Sequence, residues 1–192
     1  MPSLQTEPSG PPLRRVFFSI PLSETQRVGF VHATRKAVRA SGGRPVLPLD
    51  LHLTLVFVGA VADQVLPLLL SAGAAVSRAA GVCACQLAFD RLEHWARPRI
   101  FCAACTCAPA EAVSLVRGLE AALDEHGIPF ERRPWKAHIT LARNAQAPHI
   151  VGPITPLVWT ATQFGLFESV PAPAVPRYQA LELWPLPPAS SG

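Results

Sequence analysis

Two seven-residue stretches, LHLTLVF from Leu51 and AHITLAR from Ala137, carry one pattern, His-x-Thr-Leu, in a chain with six histidines. At this frequency of His, Thr and Leu, about 0.03 copies per chain are expected by chance, so a chance pair is on the order of one in a thousand. The spacing constrains the fold further. Shifting the chain by 86 residues, the distance from His52 to His138, lays a strand at 14–20 on 100–106 and a helix at 23–41 on 109–127. Residue identity is low outside the motif, so the match is one of pattern. A duplicated strand–helix–strand unit predicts two pseudo-symmetric lobes in one α+β fold. A pseudo-twofold axis would bring the motif strands together across a cleft.

Local signals give the rest of the chain. Ser23 followed by Gln26 is a capping-box start for the first helix, and Gly42-Gly43 stop it. The first motif lies on a strand at 51–58, and a helix follows over 62–79, with Pro67 unsettling its first turns. Strands are predicted at 82–91 and 99–107, then a helix at 109–126 between Pro109 and Gly127. The second motif lies on strand 137–143, and strands at 157–169 and 177–185 flank the loop PAPAVP. One domain spans 13–186, between Pro/Ser/Gly-rich tails at 1–12 and 187–192 that are expected to fray.

Apolar runs are interrupted well before the roughly 18 residues a membrane span needs. The N-terminus lacks the apolar stretch of a signal peptide, so a soluble cytoplasmic protein is expected. A net charge of +4, carried largely by arginine, suits a phosphate-bearing ligand without specifying one. The five cysteines, at 83, 85, 102, 105 and 107, invite a metal reading. If their two strands form a hairpin around LEHWARP, Cys83 would oppose Cys107 and Cys85 would oppose Cys105. Four thiols flat on one sheet face are a poor match for tetrahedral zinc, so packing is the expected role.

Strand alternation points His52 and Thr54 to one face and Leu53 and Leu55 to the other, and it treats His138 and Thr140 against Ile139 and Leu141 alike. A third His-x-Thr, His32 and Thr34, lies in a helix, where residues two apart share no face, and is set aside. Two imidazoles across a cleft suit phosphodiester hydrolysis. One takes a proton from water while the other, protonated, gives one to the leaving alkoxide. The threonine hydroxyls can donate to the non-bridging phosphate oxygens. A metal site built on the two histidines lacks carboxylates, since only Asp50 lies near either motif. No P-loop, strand-linked G-x-G-x-x-G, H-E-x-x-H or G-x-S-x-G sequence occurs.

With these motifs in place, the chain resembles the two-histidine (2H) phosphoesterases, and more narrowly the bacterial and archaeal RNA 2′,3′-cyclic phosphodiesterases, historically described as 2′-5′ RNA ligases. The likeness covers about 14–186: RRVFFSIPL for the opening strand, LHLTLVFVG and RRPWKAHITLAR for the motifs, and GLFESV with RYQALELWPL for the closing strands. It implies a bilobal fold of two antiparallel sheets with outer helices and a central cleft. It also implies metal-independent hydrolysis, without cofactor, of 2′,3′-cyclic phosphate RNA ends to 2′-phosphomonoesters, tRNA fragments being one source of such ends. His52 and His138 are then the catalytic pair, with a lean towards His138 as base and His52 as acid. Thr54 and Thr140 hold the phosphate, and Arg143 lies near it, although strict alternation turns Arg143 to the wrong face. Trp135 and Lys136, with Arg133, line the RNA entrance, and Tyr178 faces the cleft. Neither a membrane nor an obligate protein partner is implied. Ala137 stands where the family usually has Pro, and RIFCAAC replaces a strand that often carries Trp. A 2′-5′ oligonucleotide or cyclic-nucleotide phosphodiesterase, a non-catalytic RNA-end binder and a cysteine-based metal or redox protein are the alternatives.

Overall fold

The computed structural model describes residues 13–189 apart from 148, 172 and 174; the expected tail at 1–12 and the last residues of the other, 190–192, lie outside them. The elements in chain order are β1 (Leu13–Pro21), α1 (Glu24–Ala40), β2 (Arg44–Pro45), β3 (His52–Ala62), α2 (Leu66–Ser77), β4 (Cys85–Trp95), β5 (Ile100–Ala104), α3 (Ala110–Glu125), β6 (His138–Arg143), β7 (Gly152–Ala161), β8 (Gln163–Ser169) and β9 (Tyr178–Pro185). The helix signals act as expected. Ser23 Oγ accepts from the Gln26 N–H while the Gln26 side chain accepts from the Ser23 N–H. Pro67 sits in the first turn of α2, where its missing N–H is not needed, and residues 63–65 form a 3₁₀ turn ahead of it. In α1, His32 is exposed whereas Thr34 is buried and donates to the Phe30 carbonyl, so that pair shares no face.

All strands pair antiparallel in the order β7-β4-β5-β6-β3-β1-β8-β9, with β2 added on β6. The order is symmetric about the join between β6 and β3, which gives two four-stranded halves. The halves meet through a single registered pair, Leu53 with Ile139, so the two expected sheets are continuous at one point. The helices interlock them: α1 packs on β6 and β7, while α3 packs on β3. Leu53, Leu55, Ile139 and Leu141 enter one core cluster with Phe30, Leu115, Leu119 and Leu123 from the helices.

Three expectations are corrected. The strand at 157–169 is two strands, because the chain leaves β4's flank as β7, turns at Thr162 and joins β1 as β8. Pro153 and Pro156 obscured the start of β7, which is an edge strand, where proline is tolerated. The β4–β5 hairpin is tighter than expected, with Arg91 opposite Ala104 and Trp95 opposite Ile100. Cys85 therefore pairs with Ala161 of β7, and the four thiols do not oppose one another across the hairpin. The tail expected from 187 begins later, since the Pro187 carbonyl accepts from the Ala84 N–H at 2.7 Å.

Candidate active site

Continuing the antiparallel register from Leu53–Ile139 sets His52 opposite Thr140 and Thr54 opposite His138. Each histidine thus faces the other motif's threonine, and all four side chains are half-buried on the face away from the helices. Antiparallel geometry puts the two histidine Cα atoms roughly 8 Å apart across the diagonal, room for one phosphate between the rings.

The two imidazoles are held in the same way. His52 Nδ1 lies 2.7 Å from the carbonyl of Asp50, and His138 Nδ1 lies 2.8 Å from the carbonyl of Lys136, each two residues back along the chain. A carbonyl only accepts, so both Nδ1 atoms carry hydrogen. In the neutral ring, each Nε2 is left as a base. Each ring is also packed by an aromatic from its own half. The Tyr178 ring stands edge-on to His52 at 4.7 Å, and Trp95 is tilted against His138 at 4.4 Å.

Their electrostatics differ. Burial pushes His52 down to about 4, the Asp50 carbonyl opposes this, and Arg143 and His138 add to the fall. Burial also lowers His138, and the Lys136 carbonyl opposes it. There Arg133 and Arg143 lower the value while the Glu93 carboxylate raises it.

Arg143 does face the cleft. Cys102 pairs with Thr140 and Phe101 with Ala142, so β6 carries one extra residue at Leu141. That bulge turns both Leu141 and Ala142 into the core and brings Arg143 back to the cleft side, where it donates to the Tyr178 hydroxyl at 3.2 Å. The first motif has the same bulge. Thr54 pairs with Ser19 and Val56 with Phe18, and Leu55 and Val56 both enter the core. Phe57 is therefore the counterpart of Arg143.

This difference gives the cleft two unlike ends. Beside His138 a cavity of about 370 Å³ is lined by Thr54, Phe57, Trp95, Trp135 and Lys136 among others. Trp135 is half-buried and ties the halves together by donating Nε1–H to the Thr54 carbonyl at 2.9 Å. Lys136 is exposed, with Nζ 5.7 Å from the centre of the Trp95 ring. Beside His52 lie two cavities, about 260 and 300 Å³, that share Arg143, Arg177 and Tyr178, and Phe57 also lines the larger of them.

The expected site residues thus lie along one cleft: His52, Thr54, Trp135, Lys136, His138 and Thr140 at its centre and aromatic end, Arg143 and Tyr178 at its arginine-lined end. Sequence reasoning missed Trp95, Glu93 and Asp50's contribution. Trp95 ends β4 inside LEHWARP, which read only as a turn; a tryptophan among charges was the one available signal. Asp50 is buried and accepts the Arg177 backbone N–H at 2.8 Å, which anchors the start of β9, and so Tyr178, beside His52. No group of three or more His, Cys, Asp or Glu among the described residues is placed to hold a metal. The five cysteines are free; burial raises Cys102 to about 12 and Cys85 to about 11, away from thiolate chemistry at neutral pH.

Residues 24–102 match the family model described as LigT-like phosphoesterase. An RNA 2′,3′-cyclic phosphodiesterase of Thermus thermophilus is 33% identical over 183 residues, covering 90% of each chain. Another from Escherichia coli is 32% identical over 175 residues, covering 90% of this chain and 97% of that one. The crystal structure of Escherichia coli LigT complexed with 3′-AMP superposes with a TM-score of 0.80 at 30% identity, over 91% of this chain and 99% of that one. A Thermus thermophilus crystal structure gives 0.76 at 30% identity, over 91% and 98%. The chain belongs to the LigT-like phosphoesterases, a two-histidine family.

Proposed function

We propose that this chain hydrolyses terminal 2′,3′-cyclic phosphates on RNA to 2′-phosphomonoesters, using His52 and His138 and no metal. The observation that carries the proposal is the Leu53–Ile139 join, which sets the two motifs side by side, with both imidazoles held alike through Nδ1. A cyclic phosphate between them receives water from one side and loses the 3′ oxygen on the other. The base takes the water proton, the P–O3′ bond breaks, and the acid protonates the 3′ oxygen, leaving the 2′-phosphate. Thr54, Thr140 and Arg143 donate to the non-bridging oxygens, where charge gathers. Trp135 and Lys136 receive the terminal base and ribose at the aromatic end. Tyr178 steadies Arg143. With the 5′-hydroxyl of a second RNA attacking in place of water, the same step with O3′ leaving is 2′-5′ ligation. Cytoplasmic RNA fragments, tRNA pieces included, are the proposed substrates.

The family resemblance leans towards His138 as base, but the charges favour the reverse. Burial, with Arg143 and His138 adding to it and no carboxylate opposing, pushes His52 down to about 4. At His138 the Glu93 carboxylate offsets part of the lowering by burial, Arg133 and Arg143, so a proton shared by the two rings rests more readily on His138. We assign His52 as base and His138 as acid. A nitrophenyl phosphodiester, whose leaving group needs no acid, separates the roles. His138→Ala is expected to keep much of its activity on that substrate and His52→Ala to lose it; the opposite result restores the family assignment.

The test of the reaction itself is incubation, with excess EDTA, with a short RNA ending in a 2′,3′-cyclic phosphate. The expected product is the 2′-phosphate, absent with either alanine variant. RNA bound but not turned over points to another phosphodiester or to a binding role, and loss of activity in EDTA points to a metal.

A further inference from the structure

Beyond Arg143, three arginines border the cavities at the His52 end: Arg44 on one, Arg15 on the other, and Arg177 on both. None is in an ion pair among the described residues, although Arg14, the neighbour of Arg15, pairs with Glu168. The one acid lining these cavities is Asp50, and its Oδ1 accepts the backbone N–H of Arg177. Arg177 Nε is shut off from solvent and has no hydrogen-bond partner among the described residues. A half-buried guanidinium with an unmet donor and no counter-ion is costly, and an anion beside it relieves both deficits. The opposite end of the cleft sets Trp95 and Trp135 among Arg97, Arg133, Lys136, Glu120 and Glu131, so its cations have acids beside them and its indole rings offer a surface for a base.

We infer that Arg15, Arg44 and Arg177 form a second anion subsite, which takes the internal phosphodiester next to the terminal cyclic phosphate. The inference rests on the hydrolase proposed above and adds a direction to it. Arg143 and Tyr178 join this subsite to the scissile position, so the RNA body runs out past Arg177 while the terminal base lies towards Trp135. Guanidinium groups suit this task because their planar donors match phosphate oxygens two at a time.

The test compares kcat/KM on three substrates with cyclic ends: a nucleoside 2′,3′-cyclic phosphate, a dinucleotide with one internal phosphodiester, and the same dinucleotide with a neutral methylphosphonate link. The expected ratio of dinucleotide to nucleoside is roughly tenfold or more, and it collapses in the methylphosphonate. Arg15→Gln and Arg177→Gln should reduce that ratio, mostly through KM, and flatten the salt dependence by about 0.7 log units per lost contact. A ratio near one in the unsubstituted protein, or a ratio indifferent to both substitutions, overturns the subsite and leaves the hydrolase standing. Stimulation of the nucleoside reaction by inorganic phosphate, with no preference for the dinucleotide, also overturns it, since the bound anion is then free phosphate. No turnover of any of the three defeats the hydrolase proposal itself, and the subsite with it.

Discussion

The strands β3 and β6 have kept one half of their common pattern and abandoned the other. His, the following core residue, Thr, the bulge and the two core residues after it recur in both, and even the carbonyl that orients each imidazole sits two residues back in each case. The next position holds Phe57 on one strand and Arg143 on the other. The shared part is what a phosphate needs on two sides: a ring and a hydroxyl from each direction. The divergent part leaves Arg143 at one end only, although Phe57 also reaches the larger arginine-bearing cavity, and on the proposed function that asymmetry gives the bound RNA end a direction. On the proposed function, the repeated pattern supplies the chemistry and the divergent position its orientation.

The largest effects test the shared half. His52→Ala and His138→Ala should each lower kcat on the cyclic-ended RNA by about 10²–10⁴-fold. The double variant should be little worse than either single one, because the two rings act in one step. Independent, additive losses in the double variant would separate the two histidines mechanistically.

The divergent half is tested next. Arg143→Phe makes the second strand resemble the first and removes a guanidinium from the scissile phosphate, for a loss of about 10–100-fold in kcat/KM. Phe57→Arg should not restore it when combined, because Phe57 rises from the other strand, tilted against Phe17 at 5.5 Å, and an arginine there would lose that packing and lie between the aromatic cavity and the larger arginine-bearing one. Recovery of activity in the double exchange would show that the ends are interchangeable.

These comparisons also mark what could be read from the chain. Period and motif were legible because alternation and caps are local: His52, Thr54, His138, Thr140 and the Ser23 cap are all where the pattern put them. Arg143 was placed by resemblance against the alternation rule, and the bulge at Leu141 that reconciles the two is set by pairing with β5, which no local pattern encodes. The hairpin register that moved the cysteines apart is likewise a long-range choice. The 86-residue shift fails beyond the motif strands, since it lays α2 on β7, a helix on a strand.

That failure is testable. In α2, Gly73 lies against the Trp184 ring of β9, where an added Cβ would come within 2.3 Å of the ring. Gly73→Ala should cost about 1–3 kcal/mol in a urea titration. Gly118 in α3 meets only Val76 atoms at 3.3 and 3.8 Å, so Gly118→Ala should be nearly neutral or mildly stabilising. Equal losses at both would show that the helices tolerate the same packing.

A smaller effect follows from the lowered histidines. His52 falls from 6.5 to about 4 on folding, so above the unfolded value both states are neutral and the group contributes nothing. As pH drops below 6.5 the unfolded chain is protonated first, and stability declines until the folded ring titrates near 4. With the ring half-buried, the loss is of order 1–2 kcal/mol. Urea titrations at several pH values should show this slope, and His52→Gln should flatten it. Activity should peak on the acid side of 6.5, because burial lowers both rings. An optimum above 7 would require the bound substrate to raise both.

The finest distinction concerns the aromatic over each ring. Tyr178 and Trp95 pack their histidines alike, but only the Tyr178 hydroxyl reaches across the join, where Arg143 of the other half donates to it at 3.2 Å. Tyr178→Phe keeps the ring on His52 and Phe17 while releasing that guanidinium. The bond is long and partly exposed, so the expected loss in kcat/KM is about 3–10-fold. It should vanish in an Arg143→Phe background, because the hydroxyl would then have nothing left to hold. Full additivity of the two would mean that Tyr178 meets the RNA directly, and its hydroxyl would then count among the groups that bind phosphate.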